Sequence, residues 1–456
     1  MGKKAWEQYD ETHLAKLEML AKQYRQFLDT GKTERECARE AVRQAEAAGY
    51  VNLQDVVDGK VPMRNKLYAV AMDKTVALFQ LGKAPLEQGM QIVAAHIDSP
   101  RLDLKQHPLY EEAGMAYFDT HYYGGIKKYQ WVTLPLAIHG VVVKKDGTIV
   151  ELNIGEKEDD PVIGVTDLLV HLAGEQLEKK GSKVVEGEAL DLLVGSRPLA
   201  GKEKDAVKAY ILELLQEQYG MEEDDFISAE LEVVPAGKAK DCGLDRSMIM
   251  AYGHDDRVCA FAGLTAFLNT EQQEKTVCCL LVDKEEIGSV GATGMKSRFF
   301  ENTVAELLEL TGGCSDLKLR RCLSRSRMLS TDVSSAFDPT YAHAFDKRNC
   351  AYLGGGMVMK KFTGSRGKSG ANDANAEYIG VLRKVMDDAA VTWQTAELGK
   401  VDYGGGGTIS YIAALYGMEV IDCGVPVLNM HAPWEVISKA DLYEAARGYH
   451  AFLNIK

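Results

Sequence analysis

With 456 residues the chain is too long for one ordinary core, so two packed domains are expected. Its 53 Lys and Arg against 67 Asp and Glu give a formal charge of −14 with no basic tail, which speaks against nucleic acid and anionic membrane as partners. Apolar residues make up 46% and no apolar run approaches the roughly 20 residues needed to cross a bilayer, so a cytoplasmic globular protein is the expectation.

The first fifty residues read as helices, with Thr33 and Glu36 spaced as a capping box before ECAREAVRQAEAAGY. Three strand-like runs come next, KLYAVAM, TVALFQLG and MQIVAAHID, separated by turn-like polar residues. From about residue 106 to 233 the pattern becomes β-rich (WVTLPLAIHGVVV, TIVELNIG) and then helical and charged near Ala206 to Tyr219. The runs GEKEDDP and GMEEDDF read as solvated edges or linkers. Strands return in KTVCCLLVD, MLSTDV and MEVIDCGVPVL, again between helical stretches. This order predicts an α/β fold, a mixed sheet flanked by helices over 1–105 and 234–456, with a β-rich domain inserted at 106–233.

Chemistry-bearing residues gather where buried strands give way to loops. VAAHIDSP carries His96 and Asp98, a spacing that lets the acid hold one imidazole nitrogen while the other faces a metal. A satisfied core histidine is the plain alternative. YGHDDRVCAF carries Asp255 and Asp256, which also read as helix caps. CCLLVDKEEIGSVGATG runs an apolar strand into Glu285 and Glu286, a costly arrangement unless a cation or hydrogen bonds meet them, or unless the loop is solvated. Asp332 and His431 end two further strand-like runs. In open α/β sheets ligands gather at the carboxyl ends of strands. The nine cysteines are scattered without a CxxC pair, so this oxygen and imidazole set suits hydrolytic zinc, manganese or cobalt instead of a thiolate site.

At HIDSP, HDDR, DKEEIGSVGATG, STDVSSAFDP and MHAPWE, which occur in the family's order over nearly the whole chain, the sequence resembles the M18 metallo-aminopeptidases, the aspartyl aminopeptidase group, in its bacterial branch. The resemblance implies two divalent ions per subunit, most simply Zn2+ with Co2+ or Mn2+ as substitutes. It makes His96 and Asp332 ligands of one ion, Glu286 and His431 ligands of the other, and Asp255 the bridge between them. Asp98 would orient His96, and Glu285 would be the general base toward the attacking water. Asp255 follows His96 by 255 − 96 = 159 residues, room enough for the family's inserted domain, whereas related dizinc carboxypeptidases and amidases place their extra domain later. A non-catalytic assembly protein is the other alternative.

The same resemblance implies short peptide substrates and a tetrahedral homo-dodecamer in which the inserted domain makes contacts. It assigns His171, in VTDLLVHLAG, to a neighbouring subunit's site, although a histidine on an amphipathic helix reads equally well. Asp402, Gly405 and Gly406, in VDYGGGGTIS, match a loop beside the substrate, or form a plain tight turn. Lys360 lies near a substrate-side lysine of the family. With Lys361, Arg366 and Lys368 it would make a cationic pocket for an N-terminal Asp or Glu, or a solvated charged loop.

Overall fold

The N-terminal helices Glu11–Thr30 and Glu34–Ala47 form where the caps require them. The Thr33 hydroxyl accepts the Glu36 amide at 3.2 Å, while the Glu36 carboxylate accepts the amides of Lys32 and Thr33. Such a cap is worth about 1 kcal/mol of helix stability. The computed structural model describes residues 4–364 and 367–455, which fall into two units.

The first unit covers 1–98, 239–430 and 435–456 and is built on a nine-stranded sheet. Four strands at its middle are parallel neighbours, in the order Thr276–Val282, Met90–His96, Arg327–Ser330 and Glu419–Gly424. Their buried positions are mainly apolar on both faces because helices cover both, as a parallel sheet demands, with Gln91, Thr276, Ser330 and Asp422 among the buried polar exceptions. Alternation divides their side chains between two cores. Val93, Ala95, Cys279, Leu281 and Ile421 face a core with the helices His254–Leu268 and Lys439–Leu453. Ile92, Ala94, Cys278, Leu280 and Val420 face the other, with Phe299–Gly312. Antiparallel strands extend the sheet on both sides, Thr75–Gln80 beside Thr276–Val282 and Met357–Lys360 beside Glu419–Gly424. A second, five-stranded sheet runs from Lys240–Cys242 through Glu435–Ser438 to Ser334–Ser335.

The second unit covers 99–238 with 431–434. Its seven-stranded sheet is antiparallel throughout, and the helix Ala206–Tyr219 is the one its sequence pattern predicts. The units divide a few residues outside the boundaries at 106 and 233 expected from pattern. The strand Arg101–Glu112 starts almost directly after Asp98 and pairs Asp103 with Glu232, so the chain changes sheet before its composition changes.

The two acidic runs also differ from expectation. GMEEDDF is no linker, because it forms the turn Glu223–Ser228, buries Phe226, and closes with Asp225 accepting the Glu222 amide. In GEKEDDP the carboxylate of Asp160 gathers the amides of Gly155, Glu156 and Lys157. Both carboxylates satisfy local backbone donors, which a count of charge along the chain does not reveal. Among the described residues no helix is long and apolar enough to cross a membrane.

Candidate metal centre

The parallel strands all deliver polar residues to one edge of the sheet. His96 is the last residue of its strand and Asp98 lies two further on, while Asp332 follows Arg327–Ser330 by two. After Thr276–Val282 the chain turns sharply, because Lys284 and Gly288 take left-handed backbone at φ 66° and φ 96°. The turn Glu285–Ile287 is held between them. Left-handed backbone is unfavourable for a residue with a Cβ, so Lys284 marks a place where the surrounding structure dictates the turn.

Asp98 ties that turn to His96. Its two carboxylate oxygens accept the amides of Glu285 and Glu286, each at 3.1 Å. The Nδ1 of His96 lies 3.0 Å from the Asp98 carbonyl and 3.3 Å from its carboxylate. Nε2 therefore points the other way, 3.2 Å from Asp255 and 3.9 Å from Glu285. This is the orientation by which a second carboxylate sets a metal-binding imidazole.

Asp255 and Asp256 open the helix His254–Leu268, but their backbone is not helical and a cis peptide joins them. The Asp255 amide donates to the buried Glu435 carboxylate at 3.0 Å. Asp256 is fully buried, and neither of its oxygens has an N–H or O–H hydrogen-bond donor, although the Cys259 thiol lies beside it. Burying an unmatched carboxylate is strongly unfavourable, so the position fits a cation.

Among the described residues, the sets of three ligand atoms that lie within 4.8 Å of one another include His96 with Asp256 and Asp332, and His96 with Glu285 and Glu286. The place of Asp256 in the first of these sets is not one that sequence reasoning assigns, because adjacent aspartates look alike until the backbone turns them. The electrostatics agree with a site built for positive charge. Burial raises the Glu285 carboxyl to about 8, opposed by His96 and reinforced by Asp332, Asp98 and Asp255. Asp332 rises to about 6, also through burial, and Asp256 is pushed well up by burial and then by Asp332. Burial alone would lower His96, yet its bonds to Asp255 and Asp98 carry it well above the ordinary imidazole range. Nitrogen and oxygen donors without thiolate, around an excess of buried carboxylate, match a hydrolytic zinc site.

The family model for aminopeptidase I zinc metalloproteases (M18) matches residues 27–453. The chain belongs to the M18 family of zinc aminopeptidases. A probable M18 family aminopeptidase 1 of Clostridium acetobutylicum is 59% identical over 455 residues, covering 99% of this chain and 98% of the relative. One from Thermotoga maritima is 45% identical over 438 residues, covering 96% of each chain. Among solved structures, aminopeptidase I from Clostridium acetobutylicum is similar at a TM-score of 0.93 and 58% identity, over 99% of both chains. The M18 aminopeptidase from Thermotoga maritima is similar at 0.95 and 43%, over 100% of this chain and 99% of its own.

In this M18 aminopeptidase the remaining expected residues come from separate segments of the chain. His431 groups with the second unit, takes left-handed backbone at φ 65°, and sets its Nδ1 2.8 Å from the Gly125 carbonyl oxygen. His171 is exposed in an irregular turn and not on an amphipathic helix. Asp402 is exposed, while Gly405 and Gly406 are half-buried, and the Gly406 carbonyl accepts the Gly364 amide at 2.7 Å. The cationic cluster does not converge. Lys361 and Lys368 are exposed, Arg366 lies outside the described residues, and Lys360 is only 4% exposed. The Lys360 ammonium donates to the carbonyls of Val333 at 2.8 Å and Asp332 at 3.2 Å, bracing the segment that carries Asp332.

Gly424 braces the same segment from the next strand. A Cβ there would stand 1.8 Å from the Asp332 carbonyl oxygen and 2.5 Å from its carbon. Gly424→Ala is therefore expected to displace Asp332 while the sheet persists. Zinc retained through dialysis, measured by elemental analysis, should fall with an affinity loss of roughly 10–100-fold, the range for disturbed ligand support. Wild-type zinc content and turnover in the folded variant would contradict this.

Proposed function

We propose that this zinc aminopeptidase holds two divalent ions per chain and removes single residues from the free N-termini of short peptides, with Glu285 as general base. The observation that carries the reading is the grip of Asp98. It sets His96 and fixes the backbone of both glutamates, so that a mostly buried carboxyl faces the ligand group. His96, Asp256 and Asp332 form one donor set and Glu286 belongs to the other, joined on the family resemblance by His431 and with Asp255 as the bridge. When bound, the ions acidify water and polarise the scissile carbonyl. Glu285 takes the proton from the attacking water and returns it to the leaving amine. Asp98 keeps the Glu285 turn from drifting, and Lys360 and Gly424 keep Asp332 in place.

The family resemblance extends the proposal to a homo-oligomer, a tetrahedral dodecamer, with His171 serving a neighbouring site. Exposed Val162, Leu168, Leu169, Val170, Leu172 and Leu177 support an interface on the second unit. Side-chain preference is the finer question. A preference for N-terminal Asp or Glu needs a cation facing the substrate, but Lys360 is occupied by two carbonyls and its charge is shared with Asp332 and Asp422. This favours neutral N-terminal residues, with Asp and Glu as the alternative that the resemblance brings.

Hydrolysis of Leu-, Ala-, Asp- and Glu-p-nitroanilides, each free and N-acetylated, tests both points on zinc-, manganese- and cobalt-loaded protein. Cleavage of free amines only, fastest for Leu or Ala, is expected. Cleavage of acetylated substrates would move the reaction to the amidase class, and a strong lead for Asp and Glu would overturn the neutral preference.

A further inference from the structure

Apart from the metal centre, a cavity of about 370 Å³ opens beside the outer strands Met357–Lys360 and Trp393–Thr395 of the nine-stranded sheet, under the helix Ala376–Asp388. That is the small end of the range for ligand pockets, roughly 300–1,000 Å³. None of its lining residues belongs to the candidate metal centre. Strand alternation explains the separation. Met359 pairs with Thr395 and lines the cavity with Lys361, whereas Lys360, between them in sequence, reaches the carbonyls of Asp332 and Val333.

The cavity has a shaped apolar part and a charged rim. Met359, Ile379 and Trp393 supply the apolar surface. The Trp393 indole is fixed, because its N–H donates to Asp387 at 3.0 Å from the helix above. Arg383 stands one helical turn beyond Ile379, exposed, with no ion-pair partner among the described residues. Lys361 reaches Asp373 only at 4.0 Å, while Lys368 holds the same carboxylate at 2.8 Å. Two cations are thus left facing the cavity with little local compensation. Glu397 is the carboxylate on the same wall, and its backbone is anchored by its amide to the Asn349 carbonyl at 2.8 Å.

Two cations, one carboxylate and an apolar floor are complementary to a zwitterion with an apolar tail. We infer that this cavity is a second, non-catalytic binding site for a free α-amino acid with an apolar side chain. Arg383 and Lys361 take its carboxylate, Glu397 its ammonium, and Met359, Ile379 and Trp393 its side chain. Charge-assisted hydrogen bonds of this kind, with both charges of the ligand matched, discriminate against analogues lacking either one. A free amino acid is also the product class of the proposed reaction, so occupancy would track product level; that consequence alone rests on the proposed function.

The test is a titration of the zinc-loaded full-length chain with L-leucine, read by tryptophan fluorescence and repeated by calorimetry. A saturable fluorescence change is expected, and Trp393→Phe should abolish it although three other tryptophans remain of the 4 in the chain. Arg383→Gln, checked for an unchanged melting profile, should weaken binding at least tenfold. L-leucinamide, lacking the carboxylate, and N-acetyl-L-leucine, lacking the ammonium, should weaken it similarly. No saturable binding, an unaltered titration in Arg383→Gln, a fluorescence change that survives in Trp393→Phe, or equal binding of L-leucinamide would each overturn the inference. The titration involves no turnover, so it can fail while peptide hydrolysis stands, and the reverse.

Discussion

Glu285→Gln is expected to lower kcat by roughly a hundred- to ten-thousand-fold, the usual contribution of a positioned general base. Zinc content should stay near that of the wild type. The reason lies in how the residue is held. Its backbone amide, not its side chain, is what Asp98 grips, so replacing one carboxylate oxygen by an amide nitrogen leaves the turn intact. Gln has nearly the same shape as Glu but cannot accept a proton from water. The variant should therefore separate chemistry from assembly of the site. Steady-state kinetics on Leu-p-nitroanilide with elemental analysis of the same sample checks both halves. Near wild-type kcat would remove Glu285 from its assigned role. Loss of zinc together with activity would make it a ligand instead.

Chelation gives the second large effect. With its zinc stripped, the enzyme is expected to lose turnover to background and to melt at a temperature several degrees lower. The site gathers His96, Asp255, Asp256, Asp332, Glu285 and Glu286, and burial already works against the charged form of three of these acids. A cation that binds the folded chain and not the unfolded one adds stability by mass action, about 4 kcal/mol at a thousandfold excess over Kd. Zinc, manganese or cobalt should restore both properties. Magnesium should restore little, since it dehydrates reluctantly and disfavours imidazole. Calorimetric melting of stripped and reloaded samples, alongside activity, is the check. An unchanged melting temperature after verified zinc removal would mean that hydrogen bonds, not an ion, hold these carboxylates.

Much of the site was readable because strand periodicity and strand ends are local properties. The runs ending at His96 and before Glu285 are almost wholly apolar, as a strand buried on both faces has to be. Polar residues directly after such a run are forced to the sheet edge, so His96, Asp98, Glu285, Glu286 and Asp332 were recognisable as neighbours in kind. The Thr33 capping box was legible for the same reason, as it involves only four consecutive residues.

Other features depend on contacts between distant parts of the chain. Nothing in HDDR distinguishes the Asp that bonds to His96 from the one that stands without a donor; the backbone around them decides. Lys360 read as one of four loop cations, yet the pairing of its strand with Glu419–Gly424 carries it under Asp332. Gly424 matters because Asp332 passes within 1.8 Å of where its side chain would start, on another strand. The cavity at Arg383 and Trp393 needs a helix, two strands and a loop to meet. The sequence by itself therefore determined the family, the order of strands and helices, and which residue types end the central strands, since each arises from short-range pattern and motif order. Only the tertiary structure decided which carboxylate faces which partner, where the second unit begins, and which cations are buried, because these depend on through-space packing between segments that local pattern does not relate.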